Sequence, residues 1–250
     1  MITNLEELSM NAWPALQTKL YDGWALRFAN GYTKRSNSIN PIYNSTISLQ
    51  VKLDFCEKKY AHFNLPVVYK LTPDSQPKAL DKALNKRGYI TRDETSVRIL
   101  KMDNYYQQET GNIHIATEFS DFWINGFLKC SGTNDNDQVT AKNMLNNIMS
   151  EVVCVTKLVD DKVIGCGFGV IERDHMGIFD IIIDKSYRNN GYGKDIMNSI
   201  LNTAAKKGVK MAYLQVVVGN VPAEKLYESL GFQEEYKYWY RVKKEVDKSG

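Results

Sequence analysis

The chain has 250 residues, of which 43% are hydrophobic and 24% charged. That is an ordinary make-up for a globular protein, and at roughly 100–200 residues per domain it allows one large or two small domains, either able to bury a real core. The net charge of +3 divides as +4 over residues 1–110 and −1 over 111–250, so neither half has the basic excess expected of a nucleic-acid or anionic-membrane partner.

In chain order, Thr46–His62 reads as a helix and Pro66–Leu71 as a strand. Leu80-Asp-Lys-Ala-Leu-Asn-Lys-Arg-Gly-Tyr-Ile reads as a helix closed by Gly88 and followed by a strand. A polar stretch, Asp103–Asn112, then separates two halves. Ile113–Thr117 is a predicted strand, Glu118–Lys129 a helix, Thr133–Asp137 a polar loop and Thr140–Ile148 a short helix. Glu151–Lys157 and Lys162–Ile171 form a hairpin around Val159-Asp160-Asp161. Gly177–Asp184 is a strand whose end, Ile181-Ile182-Ile183, is continuously apolar, which predicts cover on both faces. Gly193–Lys207 is a helix with Ile196, Met197, Ile200, Leu201 and Ala204 in one stripe, stopped by Gly208. Met211–Val218 is a strand, Pro222–Leu230 a helix closed by Gly231, and Phe232–Lys243 an alternating last strand. The fold class is α/β, a mixed sheet with helices on its faces.

The halves repeat one another. At a constant offset of 143 residues Gly88 matches Gly231, Tyr89 matches Phe232 and Arg98 matches Arg241. Two related lobes are expected, over residues 1–105 and 112–250.

Cys56, Cys130, Cys154 and Cys166 have no CxxC spacing, and His62, His114 and His175 are far apart with no HExxH pattern. Neither a metal site nor a redox motif is expected, and four scattered thiols suit a reducing compartment. The opening Met-Ile-Thr-Asn-Leu-Glu-Glu has no basic n-region and no apolar h-region, and no apolar run approaches the ~18–20 residues of a membrane span. The expectation is a cytoplasmic protein without a membrane partner.

The most informative segment is Ile181-Ile-Ile-Asp-Lys-Ser-Tyr-Arg188-Asn189-Asn190-Gly191-Tyr192-Gly193-Lys194. A strand passes through a short turn into a helix start. Two glycines permit close backbone approach, unpaired N–H groups carry a partial positive charge, and Arg188 adds a donor. Together these suit a phosphate or pyrophosphate. A glycine turn without a ligand would read the same. The GxGxxG and GxxxxGK[ST] patterns are both absent.

Arg188-x-x-Gly191-x-Gly193 after an apolar strand resembles the acyl-CoA motif of the GNAT superfamily of N-acyltransferases. A second match follows in Gln215-Val-Val-Val-Gly-Asn220-x-x-Ala223-x-x-x-Tyr227-x-x-x-Gly231-Phe232. The resemblance covers residues 113–243. The block from Asn11 to Ser38, with Trp24, Arg27, Tyr32 and Arg35, looks like a two-lobed bacterial subgroup; these four either pack a core or line an acceptor site.

The resemblance implies acetyl-CoA as co-substrate, its pyrophosphate on the turn Arg188–Lys194 and its pantetheine arm beside Ile181, Ile182 and Ile183. Asn220 is similar to the family asparagine that contacts the cofactor, though before Val221-Pro222 it is also a good helix N-cap. Tyr227 corresponds to the tyrosine that protonates the departing thiolate, or it packs the core. Asp180 falls where many members carry a carboxylate able to deprotonate the amine through water; a plain surface Asp is the alternative, and Glu118 and His175 are weaker candidates. No metal is implied.

The function expected is acetyl transfer from acetyl-CoA to a primary amine by direct attack. An acyl-CoA-binding regulator without turnover and a tRNA-dependent aminoacyl transferase are the alternatives. The acceptor amine and the oligomeric state are left open. The offset places Ser45, Ser48, Gln50, Pro77 and Leu84 where the second lobe has Arg188, Gly191, Gly193, Asn220 and Tyr227. The N-terminal lobe is therefore read as degenerate, with one cofactor per chain.

Overall fold

The computed structural model describes residues 1–103 and 105–243. It divides into two compact units, Met1–Ser96 with the chain from Tyr236 on, and Val97–Glu235. The chain begins with α1 (Ile2–Ala12), β1 (Gln17–Tyr21), β2 (Trp24–Phe28), β3 (Ile39–Pro41), α2 (Leu49–His62), β4 (Val68–Leu71), α3 (Leu80–Lys86) and β5 (Tyr89–Lys101). It continues with β6 (Ile113–Ala116), α4 (Asp121–Ser131), α5 (Asp135–Asn146), β7 (Glu151–Val159), β8 (Lys162–Glu172), β9 (His175–Ile183), α6 (Tyr192–Lys206), β10 (Met211–Val217), α7 (Val221–Ser229) and β11 (Gln233–Lys243).

The 143-residue repeat is visible in the elements. Ser48 caps α2 where Gly191 caps α6, and Arg87 ends α3 where Leu230 ends α7. In the first unit β1, β2 and β3 are antiparallel, β3 and β4 parallel, and β11 lies antiparallel on β4 with Trp239 opposite Leu71. In the second, β6 to β9 are antiparallel, β9 and β10 parallel, and the end of β5 lies beside β10. Each unit is thus completed by the last strand of the other repeat.

Two helices start earlier or later than the sequence periodicity predicts, because caps set their ends. Ser120 accepts from Trp123 N–H, so α4 begins at Asp121 rather than Glu118. Asn134 accepts from Asp137 N–H at 3.1 Å, so the expected loop Thr133–Asp137 is mostly the first turn of α5.

The first core gathers Trp24, Leu53, Tyr60, Tyr69, Leu84 and Tyr89. Arg27, 3% exposed, is held by the carbonyls of Met10, Trp13 and Arg35, and Arg35 lies 5.1 Å over the Trp13 ring. Trp24, Arg27 and Arg35 therefore serve packing within this unit. In the second unit the predicted stripe of α6, Ile196 to Ala204, packs on Val153, Val155, Met176 and Ile178. On the other face Trp123 of α4 meets Phe168 edge-on and stacks on Phe127, and its Nε1 donates to Val155 O of the sheet at 3.1 Å.

Strand β8 shows how one sheet serves both faces. Side chains alternate along a strand, and a Cβ on Gly165, Gly167 or Gly169 would fall within 3.2 Å of Ile196 or Ile200 of α6. The bare positions let α6 lie close on the sheet, while Cys166 and Phe168 face α4.

The C-terminal strand is fastened to the first unit by ionic groups. Tyr236 donates to Glu6 at 2.7 Å, and Lys70 pairs with the same carboxylate at 2.6 Å, each ion 5% exposed. Lys70 also lies 4.0 Å over the Tyr238 ring. Arg241 makes two 2.8 Å bonds to Asp81, which also accepts from Trp239. Replacing Glu6 leaves a buried ammonium without a counter-charge, which typically costs about 3–5 kcal/mol. Glu6→Leu should therefore lower stability by about that amount in urea denaturation, and Glu6→Leu/Lys70→Met should recover most of it. A double variant as unstable as the single would show that the pair is not what Glu6 contributes.

Candidate active site

Strand β9 runs parallel to β10 from His175 opposite Met211 to Ile178 opposite Leu214. Beyond that point it bulges. On the β8 side Phe168 pairs with Phe179 and Cys166 with Ile182, so Asp180 and Ile181 share the place opposite Gly167. Asp180 takes the extra residue with φ +47°. A bulge bends its strand and re-aims the residues after it. Ile181, Ile182 and Ile183 are accordingly half-buried, not covered on both faces as their apolar run predicts. Ile181 and Ile183 still touch the core under α6. Past Ile178 the β10-facing edge of β9 is left outside the parallel register and can bond a linear amide-bearing ligand.

The strand ends in a turn built to present N–H groups. Asp184 N–H bonds Ile164 O at 2.8 Å, and the Asp184 carboxylate accepts from Ser186 N–H at 2.9 Å. That bond is the main reason its carboxyl is held below the usual range, with Lys129 and Arg188 adding a smaller attraction. Asn190 Nδ2 donates to Tyr187 O and Arg188 O, and Arg188 Nε donates to Ile183 O. The carbonyls of Ile183, Tyr187 and Arg188 are thereby bonded within the turn. Asn189 at φ +65° and Gly191 at φ +80° carry the chain into α6 through left-handed conformations. Lys194 N–H and Asp195 N–H bond back to Gly191 O, while Tyr192 and Gly193 N–H, first in the helix, have no carbonyl behind them. Such a concavity of N–H groups at a helix N-terminus binds anions.

The two glycines differ in what requires them. Gly191 needs its φ, and a Cβ there would meet nothing. Gly193 has no such φ, and a Cβ would make only an ordinary 3.4 Å contact with Leu226. Nothing in the folded chain demands glycine at 193, so the bare position is open to a close outside ligand.

Asn220 is the N-cap residue of α7, yet its side chain makes no capping bond; Glu224 reaches back to Gly219 N–H instead. The exposed amide is thus not used by the cap. Tyr227 is half-buried on α7, edge-on to Phe232 at 6.2 Å and packed against the core. Its ring has the packing role foreseen as the alternative, which leaves a role for the hydroxyl compatible with it. His175 lies at the other end of β9, five residues and about 17 Å from Asp180 at ~3.3 Å per residue. It is paired with Asp174 and is removed from the site. Glu118 is exposed in the connection before α4.

The family described as Probable histone acetyltransferase Rv0428c C-terminal matches residues 1–241. The chain belongs to that family. The uncharacterized N-acetyltransferase YobR of Bacillus subtilis (strain 168) is 25% identical over 251 residues, 97% of this chain and 99% of that protein. A ribosomal protein bS18-alanine N-acetyltransferase of Escherichia coli (strain K12) is 36% identical over 61 residues, 24% of this chain and 41% of that protein. A GCN5-related N-acetyltransferase from Kribbella flavida superposes with a TM-score of 0.73 at 11% identity, covering 99% of this chain and 97% of that one. A tandem GNAT protein from the clavulanic acid biosynthesis pathway gives 0.64 at 10% identity over 98% and 89%. At such identities the likeness is one of fold. The protein is a two-lobed GNAT acetyltransferase, as its two motifs imply.

Three features of this acetyltransferase escaped the sequence reading. The Gly165–Gly167–Gly169 alternation reads as part of a β-branched run, although glycine at every second residue is itself a signal of close helix approach. The Asp180 bulge has no sequence signal. Lys129 enters the field of the turn only through packing of α4. Among the described residues no helix is long and apolar enough to cross a membrane.

Proposed function

We propose that the chain transfers the acetyl group of acetyl-CoA to a primary amine by direct attack, with its site in the repeat 112–250. The observation that carries this reading is the start of α6, where the Tyr192 and Gly193 N–H groups have no carbonyl behind them, at the end of a strand that has left its neighbour. The turn Arg188, Asn189, Asn190, Gly191, Tyr192, Gly193 and Lys194 would hold the pyrophosphate, and backbone groups of Ile181, Ile182 and Ile183 the pantetheine amides. Asn220 would contact the cofactor with its exposed amide. Asp180 would accept, through water, the proton that the amine must shed before its nitrogen attacks the thioester carbonyl. Tyr227 would donate a proton to the sulfur as the C–S bond breaks, a role open to a positioned phenol. Positioning of amine and thioester together supplies much of the rate.

Gly193→Val tests the carrying observation. The variant should fold, since the space is open apart from Leu226, and lose acetyl-CoA binding in calorimetry. Wild-type affinity in the folded variant would remove the turn from the cofactor site.

Tyr227→Phe keeps the ring packing and removes the hydroxyl. Turnover, followed as release of CoA thiol with an amine panel, should fall ~10²–10⁴-fold with acetyl-CoA affinity unchanged. Full turnover with chemistry rate-limiting would leave Tyr227 a packing residue. Absence of thiol release by the unmodified protein with every amine would favour a cofactor-binding regulator.

One acetyl-CoA should bind per chain. In the first repeat the amides that precede α2 are already occupied: Thr46 N–H and Ile47 N–H bond the Asp22 carboxylate at 2.9–3.0 Å. Calorimetric stoichiometry of two, or a site within residues 1–105, would overturn the division of roles between the repeats.

A further inference from the structure

Helix α4 and strand β8 bring together two thiols that are 36 residues apart in sequence. Cys166 points from β8 toward α4, because its neighbours Gly165 and Gly167 face α6. A carbon placed on Gly126 would stand 3.3 Å from Cys166 Sγ, so this sulfur lies against the bare middle of α4. Cys130 is four residues further along, on the same helix face. Cys130 is thereby the thiol that α4 brings beside Cys166, and each lies within the electrostatic reach of the other. Cys166 is fully buried and Cys130 half-buried, which gives one thiol access to solvent and keeps the other behind it.

The pair is chemically graded. The neighbouring Cys166 thiol favours the Cys130 thiolate, outweighing partial burial and the Asp184 charge, with Lys129 helping. The same proximity, together with burial, pushes the Cys166 thiol up. By contrast the thiols of Cys56 and Cys154 are pushed up to about 12 by burial, which makes them inert.

We propose that Cys130 and Cys166 are a modification site at which a peroxide installs an intramolecular disulfide, and that the disulfide weakens cofactor binding. The Cys130 thiolate attacks one peroxide oxygen, the O–O bond breaks, and with one proton taken up Cys130 becomes a sulfenic acid while water departs. Cys166 sulfur then attacks Cys130 sulfur, the S–O bond breaks, and its proton leaves with the hydroxyl as a second water. The two thiols lose two electrons and two protons, and the peroxide is reduced to two waters. Closing the two thiols to a bond of about 2.05 Å draws the end of α4 onto β8. That end carries Lys129, whose charge reaches Asp184 at the start of the anion turn, and Cys166 is paired across the sheet with Ile182. The effect on the cofactor rests on the function proposed above; the disulfide does not.

The test treats the reduced full chain with hydrogen peroxide, then measures intact mass, linked peptides and acetyl-CoA affinity. The expected result is loss of two hydrogens, a Cys130–Cys166 cross-link undone by dithiothreitol, and a loss of affinity that reduction restores. Cys166→Ser should form no cross-link and should carry Cys130 on to sulfinic acid, with Cys56 and Cys154 unmodified. Stepwise oxygen addition at Cys130 in the unmodified chain, or a cross-link involving another cysteine, overturns the site. A cross-link without change in affinity overturns the regulatory effect. If the reduced chain binds no acetyl-CoA while the cross-link forms, the cofactor reading has failed and the modification site stands.

Discussion

Strand β9 keeps its parallel register with β10 only as far as Ile178, and the bulge at Asp180 turns the residues after it out of that ladder. A parallel pair normally continues while both strands last, because each broken rung leaves two polar backbone groups to be satisfied. Here both strands continue, β9 to Ile183 and β10 to Val217. The interruption places a non-glycine residue at φ +47°, a conformation of order 1–3 kcal/mol above the ordinary regions. Such strain persists only where surrounding contacts fix it. Those contacts are visible: Cys166 and Phe168 pair on either side of the bulge, and Ile181 packs into the space over Gly167. The glycines of β8, the bulge of β9 and the approach of α6 are one arrangement. A side chain at Gly167 would meet Ile181 and Ile196 together and would push on the strand and the helix at once.

The exchange of last strands gives the repeat its second constraint. An arginine at the matching place of each exchanged strand reaches the helix that precedes the other strand. Arg241 of β11 bonds Asp81 and Asn85 of α3, and Arg98 of β5 bonds Glu228 of α7 at 2.9 Å. Asn85 and Glu228 are themselves 143 residues apart. The match of Arg98 with Arg241 in sequence is therefore a record of docking, since an exposed arginine without a partner has no reason to keep its register. The stronger geometry is at Arg241, where two parallel bonds to one carboxylate fix direction as well as distance. Glu228 is more than half exposed, so its pair with Arg98 is screened and contributes less.

The elements were legible in the sequence where periodicity and punctuation agree. The stripe of α6, the stops at Gly88, Gly208 and Gly231, and the hairpin at Asp160-Asp161 all follow from local rules, and both aspartates adopt the positive φ such a turn needs. The strand-to-helix turn at Arg188–Lys194 was legible because its residues are contiguous. What was not legible depends on contacts between distant segments. The start of α5 was hidden by polar residues that serve as a cap. The half-burial of Ile181–Ile183 follows from where β10 diverges, which no apolar count reveals. The exchange of β5 and β11 is silent because either strand satisfies the same pattern. Cys130 and Cys166 looked scattered because their spacing is set by helix-on-sheet packing and not by a loop.

The two repeats meet the same physical problem, a helix N-terminus with unpaired amides, in opposite ways. Before α6 the chain passes through the left-handed residues Asn189 and Gly191, and the Asn190 and Arg188 side chains bond the carbonyls of Tyr187, Arg188 and Ile183. Before α2 the Asp-Gly turn between β1 and β2 sends a carboxylate from the chain itself, and Asp22 accepts from Thr46 N–H, Thr46 Oγ1 and Ile47 N–H. Those bonds, Thr46 N–H first and Ile47 N–H next, hold Asp22 well below the usual carboxylate range. Lys52, fully buried and 4.0 Å over the Trp24 ring, pairs with the same carboxylate from below. Thr46 and Ile47 match Asn189 and Asn190 at the 143-residue offset, so an internal anion stands in the segment that leads into α2, and the cation that balances it is part of the core. The repeats thus differ in whether the chain supplies its own anion there: Asp22 does so before α2, and among the described residues no side chain takes the matching amides before α6.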